Sequence, residues 1–228
     1  MTVKVGMVTI GQAPRVDVVP EMATFLGAAE IIERGALDGL TRPEIEPLAP
    51  TGEDEVLVTR LADGGSVFVG KRQVTPLVQR RIEELESAGV TLTVLLCTGT
   101  FKGLRARRPL VEPDKILLGM LRAIRFDGRL GVLTPSPRHV EQTDARWRAH
   151  GFDPVVVPLS PYESARAVEA SDLAAIAEAL RADAVGLVVL DCIGFTRKLR
   201  AELQALVGVP MLVANLLVAR LVAELIGA

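Results

Sequence analysis

Histidine, cysteine and the large aromatics are scarce here: two His, two Cys, one Trp, one Tyr and six Phe in 228 residues. That scarcity excludes several kinds of protein. A zinc site needs His and Cys at short spacing, whereas Cys97 and Cys192 stand 95 residues apart and His139 and His150 lie in another segment. No metal is expected, and two distant cysteines do not make the disulfide framework of a small secreted domain. Every long apolar stretch meets a charge or a glycine before about eighteen residues, so no transmembrane helix or membrane partner is expected. The first six residues enter a strand pattern without a signal-peptide layout, which makes the cytoplasm the expected compartment. A net charge of −2 leaves no footprint for nucleic acid, and the basic run at 105–108 reads as a solvated face.

What is present is the composition of a soluble globular protein, 49% hydrophobic and 24% charged. The chain is long enough to bury a large core, in one domain or in two smaller ones. Residues 3–9 form a near-continuous apolar run, as expected of a parallel strand covered on both faces. A loop carrying Gly11, Pro14 and Arg15 follows, and Asp17 is placed to cap a helix running to about Gly27. A short strand at 30–34 precedes a stretch rich in Pro, with a short helix that has Pro43 in its first turn. Residues 55–61 and 66–69 read as a hairpin. The helical spacing of Leu77, Val78, Ile82 and Leu85 predicts a helix over 75–88, stopped by Gly89. The strand before Cys97 follows, then a loop and a helix over 114–125.

From residue 127 the pattern begins again. Strands are predicted at 129–134, 154–158, 186–190 and 210–213, alternating with helices at 139–150, 165–181, 196–206 and 216–226. Such alternation implies a doubly wound α/β fold with parallel sheets. Residues 92–101 read Leu-Thr-Val-Leu-Leu-Cys-Thr-Gly-Thr-Phe and residues 187–196 read Leu-Val-Val-Leu-Asp-Cys-Ile-Gly-Phe-Thr, so Leu, Val, Leu, Cys and Gly fall on themselves. Gly6 to Thr9 likewise matches Gly131 to Thr134, each followed by Pro-Arg. The threonines stand 125 residues apart against 95 for the cysteines, which makes residues 38–69 an insertion in the first half. We therefore expect two pseudo-symmetric lobes, 1–126 and 127–213, whose strand ends meet at one cleft, with the helix of 214–228 packing back on the first lobe.

Ligands of open α/β sheets bind beyond the carboxyl ends of the strands, where Thr9, Arg15, Cys97, Thr98, Thr134, Arg138 and Cys192 all fall. A cysteine just before a helix has its thiolate stabilised by the unpaired amides there. One thiolate and one thiol flanking a single carbon can remove a proton from one face and return one to the other. Backbone amides, Thr hydroxyls and an Arg would hold the carboxylate and the enediolate-like charge. Asp191, beside Cys192, can disfavour that thiolate or cap the next helix.

This layout resembles the aspartate/glutamate racemase superfamily. More closely, the chain resembles the AroM family, through the Thr-Ile-Gly-Gln-x-Pro-Arg opening (Thr9 to Arg15), the Leu-Asp-Cys-x-Gly-Phe segment (Leu190 to Phe195) and Asn215 before an apolar C-terminal helix. The superfamily resemblance implies two α/β lobes and cofactor-independent chemistry by a cysteine pair. It departs from characterised racemases in having Thr98-Gly99 after the first cysteine and Asp191 and Ile193 around the second. The expected function is racemisation or isomerisation of a small carboxylate-bearing substrate. Cys97 and Cys192 would be the acid–base pair, and Thr9, Arg15, Thr98, Gly99, Thr134, Arg138 and Asp191 the binding groups. A homodimer is the expected assembly. Two alternatives stay open: a single-cysteine decarboxylase or cis–trans isomerase on the same scaffold, and a small-acid-binding protein without turnover.

Overall fold

The computed structural model describes residues 2–162 and 170–228. By its internal contacts the chain divides into two compact units, one formed by Met1–Ile116 with Val218–Ala228 and the other by Leu117–Leu217.

The first unit is built on β1 (Lys4–Thr9), followed by α1 (Val19–Ala23), β2 (Glu30–Gly35) and α2 (Arg42–Ile45), with a 3-10 turn at Glu46–Leu48. The hairpin β3 (Val56–Arg60) and β4 (Ser66–Gly70) comes next, then α3 (Lys71–Ser87), β5 (Leu92–Leu96) and β6 (Leu110–Val111); α4 (Pro113–Ala123) starts in this unit and continues in the other, where Leu117 and Leu121 join its core. Four strands form a parallel sheet in the order β2-β1-β5-β6, with Thr9 level with Leu96. The expected hairpin forms a separate antiparallel pair. Its Leu57, Leu61 and Val69 join Val8, Leu95 and Cys97 in one apolar cluster, so the insertion is part of the core behind Cys97.

The second unit runs β7 (Arg129–Thr134), a 3-10 turn at Pro137–His139, α5 (Val140–Ala149), β8 (Pro154–Pro158), α6 (Ala170–Ala182), β9 (Val185–Leu190), α7 (Arg197–Val207) and β10 (Met211–Val213). Its sheet is again parallel, in the order β8-β7-β9-β10. The first-placed, central strand of each unit is therefore flanked by the second and third, so the two sheets share one winding. β5 is buried throughout and β1, β7 and β9 nearly so, which is why they read as near-continuous apolar runs rather than as alternation. The repeated glycine of the central strands has a packing cause. A Cβ on Gly6 would lie 3.2 Å from Leu85 of α3, and one on Gly131 would lie 3.1 Å from Leu180 of α6. The last helix, α8 (Ala214–Ile226), begins in the second unit and ends in the first, where the Arg220 guanidinium lies 4.9 Å over the Phe25 ring.

Several expectations need correction. Asp17 does not cap α1, which is only five residues long and starts after an uncapped Val18. The Asp17 carboxylate is taken by Arg15 instead. Helix α3 starts four residues early, at Lys71, because Asp54, remote in sequence, accepts from the Arg72 amide (3.2 Å). Strand β6 went unforeseen, since two residues carry no periodicity. Asp191 is no cap either: Thr196 Oγ1 accepts from the Leu199 amide (3.2 Å) and starts α7. The helix predicted over 165–181 is seen from Ala170 onward; residues 165–169 of that prediction lie outside the described residues.

Candidate functional site

Each unit ends a central pair of strands in a threonine and a cysteine. In the first unit Thr9 closes β1 level with Leu96, and Cys97 is the next residue along β5. In the second, Leu133 is level with Leu190 and accepts from the Asp191 amide (2.9 Å), so Thr134 comes level with Asp191 and Cys192 follows. Both cysteines are buried and neither is in a disulfide. Neither immediately precedes a helix: a loop leads from Cys97 to β6, and α7 begins five residues after Cys192. A local donor takes the place of the expected helix terminus.

At Cys97 that donor is the Gly99 amide, 3.3 Å from Sγ. Thr98 is buried between them in sequence. The neighbouring loop from Thr9 to Arg15 is held from several sides. Thr9 Oγ1 accepts from the Gly11 amide (3.3 Å) and from Arg15 Nη1 (3.0 Å). Arg15, only 1% exposed, donates its Nε and Nη2 to the two oxygens of Asp17 at 2.8 and 2.9 Å. Burial alone would raise the Asp17 carboxyl, but the Arg15 guanidinium outweighs it and holds it below the ordinary value. Glu33, which accepts from the Arg15 amide (2.7 Å), goes the other way, raised by burial. Thus all three guanidinium nitrogens of Arg15 donate to protein oxygens, and one of those oxygens is on Thr9. Gln12 fastens the loop to its surroundings: its amide donates to the carbonyls of Leu37 and Leu40 (3.2 and 2.9 Å) and accepts from the Ala62 amide (2.9 Å).

At Cys192 the group facing Sγ is the Tyr162 hydroxyl, 3.4 Å away and buried. Asn215, at the start of α8, donates to the carbonyls of Ile193 and Phe195 (3.0 and 2.8 Å) and so fixes the loop after the cysteine. The Asp191 carboxylate accepts from Trp147 Nε1 (3.0 Å) and pairs with Arg146, both on α5. Thr134 Oγ1 shares a hydrogen bond with Thr143 (3.1 Å). Arg138 lies exposed on the 3-10 turn. Beside it His139 is buried and bonded through Nδ1 to Ser136 Oγ (2.8 Å). Burial, reinforced by the positive charge of Arg138, lowers His139 to about 4, with Asp191 opposing, so its ring is neutral at pH 7.

The first unit thus brings together Thr9, Arg15, Cys97, Thr98 and Gly99, and the second Thr134, Asp191 and Cys192 with Arg138 at the edge. Sequence reasoning missed Tyr162, the Ser136–His139 pair and the α5 partners of Asp191. One signal for Tyr162 was available: the glycine two residues after Cys192 leaves room where a ring can lie, because a Cβ on Gly194 would stand 2.7 Å from the Tyr162 ring. Among the described residues no group of three or more His, Cys, Asp or Glu side chains could hold a metal ion, and no helix is long and apolar enough to cross a membrane.

Comparison with known proteins agrees with this architecture. Allantoin racemase from Klebsiella pneumoniae superimposes with a TM-score of 0.62 at 17% identity, covering 99% of this chain and 88% of that one. Unliganded arylmalonate decarboxylase gives 0.63 at 16% identity over 100% and 93% of the two chains. Glutamate racemase from Aquifex pyrophilus gives 0.60 at 14% identity over 97% and 83%. Identities this low establish the shared α/β fold and nothing finer. A search of curated proteins finds no match. The sequence pattern of the AroM protein family, by contrast, matches residues 5–226, and the chain belongs to that family.

Proposed function

We propose that the protein is a cofactor-independent racemase or isomerase of a small carboxylate-bearing substrate, an amino acid or a related acid, with Cys97 and Cys192 as its acid–base pair. The observation that carries this reading is the repetition of a buried cysteine with its own hydrogen-bond partner one residue beyond corresponding strand levels. Two proteins of the same fold are racemases by name, of allantoin and of glutamate. In the proposed cycle one thiolate takes the proton from the carbon next to the carboxylate, leaving an enediolate-like anion. The other thiol gives its proton to the opposite face, and the two sulfurs exchange protonation states, so no other reagent is consumed. Thr98, Thr134 and backbone amides such as that of Gly99 would hold the carboxylate and the developing charge. Thr9 would join them, oriented by Arg15, with Arg138 and Asp191 as outer charges. A cytoplasmic homodimer is the proposed working form.

Proton NMR in D2O under reducing conditions, with pooled amino acids, hydantoins, hydroxy acids and substituted malonates, tests the reading. One α-proton signal should disappear with the native protein and persist with Cys97→Ala, with Cys192→Ala and with the double variant. Exchange that survives the double substitution would sink the two-thiol mechanism. Activity that needs only one of the cysteines would instead indicate a single-thiol decarboxylase or cis–trans isomerase. No exchange, with ligand-induced stabilisation that persists without either thiol, would indicate a binding protein.

A further inference from the structure

We infer that Tyr162 is the positioning residue of Cys192, its hydroxyl following the sulfur through both protonation states. This rests on reading Cys192 as an acid–base thiol. Three observations converge on it. Tyr162 is the only tyrosine in the chain, is 5% exposed and places Oη 3.4 Å from Sγ. Gly194 makes that contact possible, since a Cβ there would stand 2.7 to 2.8 Å from the edge of the ring, including the hydroxyl oxygen. Asn215 fixes the other side of the same loop through the Ile193 and Phe195 carbonyls, so Cys192 is held between an amide anchor and a phenol.

The contrast with Cys97 gives the arrangement its chemical meaning. The Gly99 amide at Cys97 can only donate, and therefore favours the thiolate. A phenol donates and accepts: it can take the S–H of the thiol and, by rotating its hydroxyl hydrogen, donate to the sulfur once the proton has left. At a sulfur with little access to water, one such bond offsets part of the cost of forming the thiolate. Among the described residues, the charged and titratable groups near the loop include Asp191 in sequence, Arg146 on α5 and His139 on the turn after β7. Asp191 is paired with Arg146, and His139 is neutral above pH 6.5.

The test uses the full chain carrying Cys97→Ala, so that a single cysteine labelled at Cβ with carbon-13 remains. Its chemical shift is followed with pH through the ordinary thiol range, a readout that requires no access of a reagent to the buried sulfur. Adding Tyr162→Phe should move the titration to higher pH and lower the thiolate population at a given pH by roughly tenfold, which corresponds to about 1.4 kcal/mol. Gly194→Ala keeps the phenol but displaces the ring, and should move the titration in the same direction. In a Cys192→Ala chain, Tyr162→Phe should leave the Cys97 titration where it was. A Cys192 titration unchanged by Tyr162→Phe overturns the assignment, and so does an equal shift at Cys97. Neither readout depends on turnover, so failure to exchange any α-proton would defeat the proposed reaction without touching this result.

Discussion

Acidification should remove stability from the second unit through one side chain, His139. In the folded chain its ring titrates at about 4 rather than 6.5 because burial opposes the charged form. As the pH falls below 6.5 the unfolded chain takes up a proton that the folded chain refuses, so the unfolded state binds more protons and stability falls with pH. The contribution is complete above 6.5, declines below it and levels off below about 4. That gap, at about 1.4 kcal/mol for each tenfold difference, gives roughly 3 kcal/mol as the full effect and about 2 kcal/mol by pH 5. Trp147, the only tryptophan, lies on α5 in the same unit and reports its unfolding by fluorescence. Asp17 and Glu33, whose shifts have opposite signs, belong to the first unit. Urea unfolding followed at Trp147 at several pH values between about 7.5 and 5, for the native chain and for His139→Gln, isolates the term. The native chain should lose about 2 kcal/mol more than the variant over that range. A difference between them that does not change with pH would refute the reasoning.

Substitutions at three further positions test the framework of the site. Arg15→Met leaves the Asp17 carboxylate and Thr9 Oγ1 without their guanidinium, and calorimetry should show a loss of about 2 to 3 kcal/mol after allowing for the partial exposure of Asp17. Arg15→Lys should restore little of it, because an ammonium cannot bridge both Asp17 oxygens and Thr9 at once. Gly11→Ala drives a Cβ to 2.3 Å from the Arg60 carbonyl, which the Gln12 amide already holds at 3.1 Å. The expected loss is roughly 3 kcal/mol or more, with the hairpin showing the earliest hydrogen exchange. Asn215→Ala abandons two buried carbonyls and should cost about 2 kcal/mol in urea unfolding followed at Trp147.

The parallel strands were legible because residues covered on both faces must be mostly apolar, and β1, β5, β7 and β9 are nearly so throughout. The repeated cysteines were legible for the same reason, being fixed in place by the strands that lead to them. Legibility ended where one side chain answered another from afar. Asp17 looked like a cap until Arg15 claimed it. Helix α3 gained a turn from Asp54, in the loop before β3. Asp191 is held by Arg146 and Trp147, more than forty residues away. Tyr162 meets Cys192 across thirty residues. Such pairs leave no period in a sequence, only an occasional glycine where room had to be made.

The division of the chain has a consequence for how the protein is made. Leu117–Leu217 is continuous, and its sheet can close as soon as that segment has been synthesised. The unit that contains Cys97 includes Val218–Ala228, which follows the whole of the other unit in sequence, with Arg220 lying over Phe25. At ordinary synthesis rates it waits on the order of ten seconds for these residues. The unit that is begun first is therefore completed only after the other has been made, and a chain cut short before Val218 would lose part of the earlier unit rather than the later one.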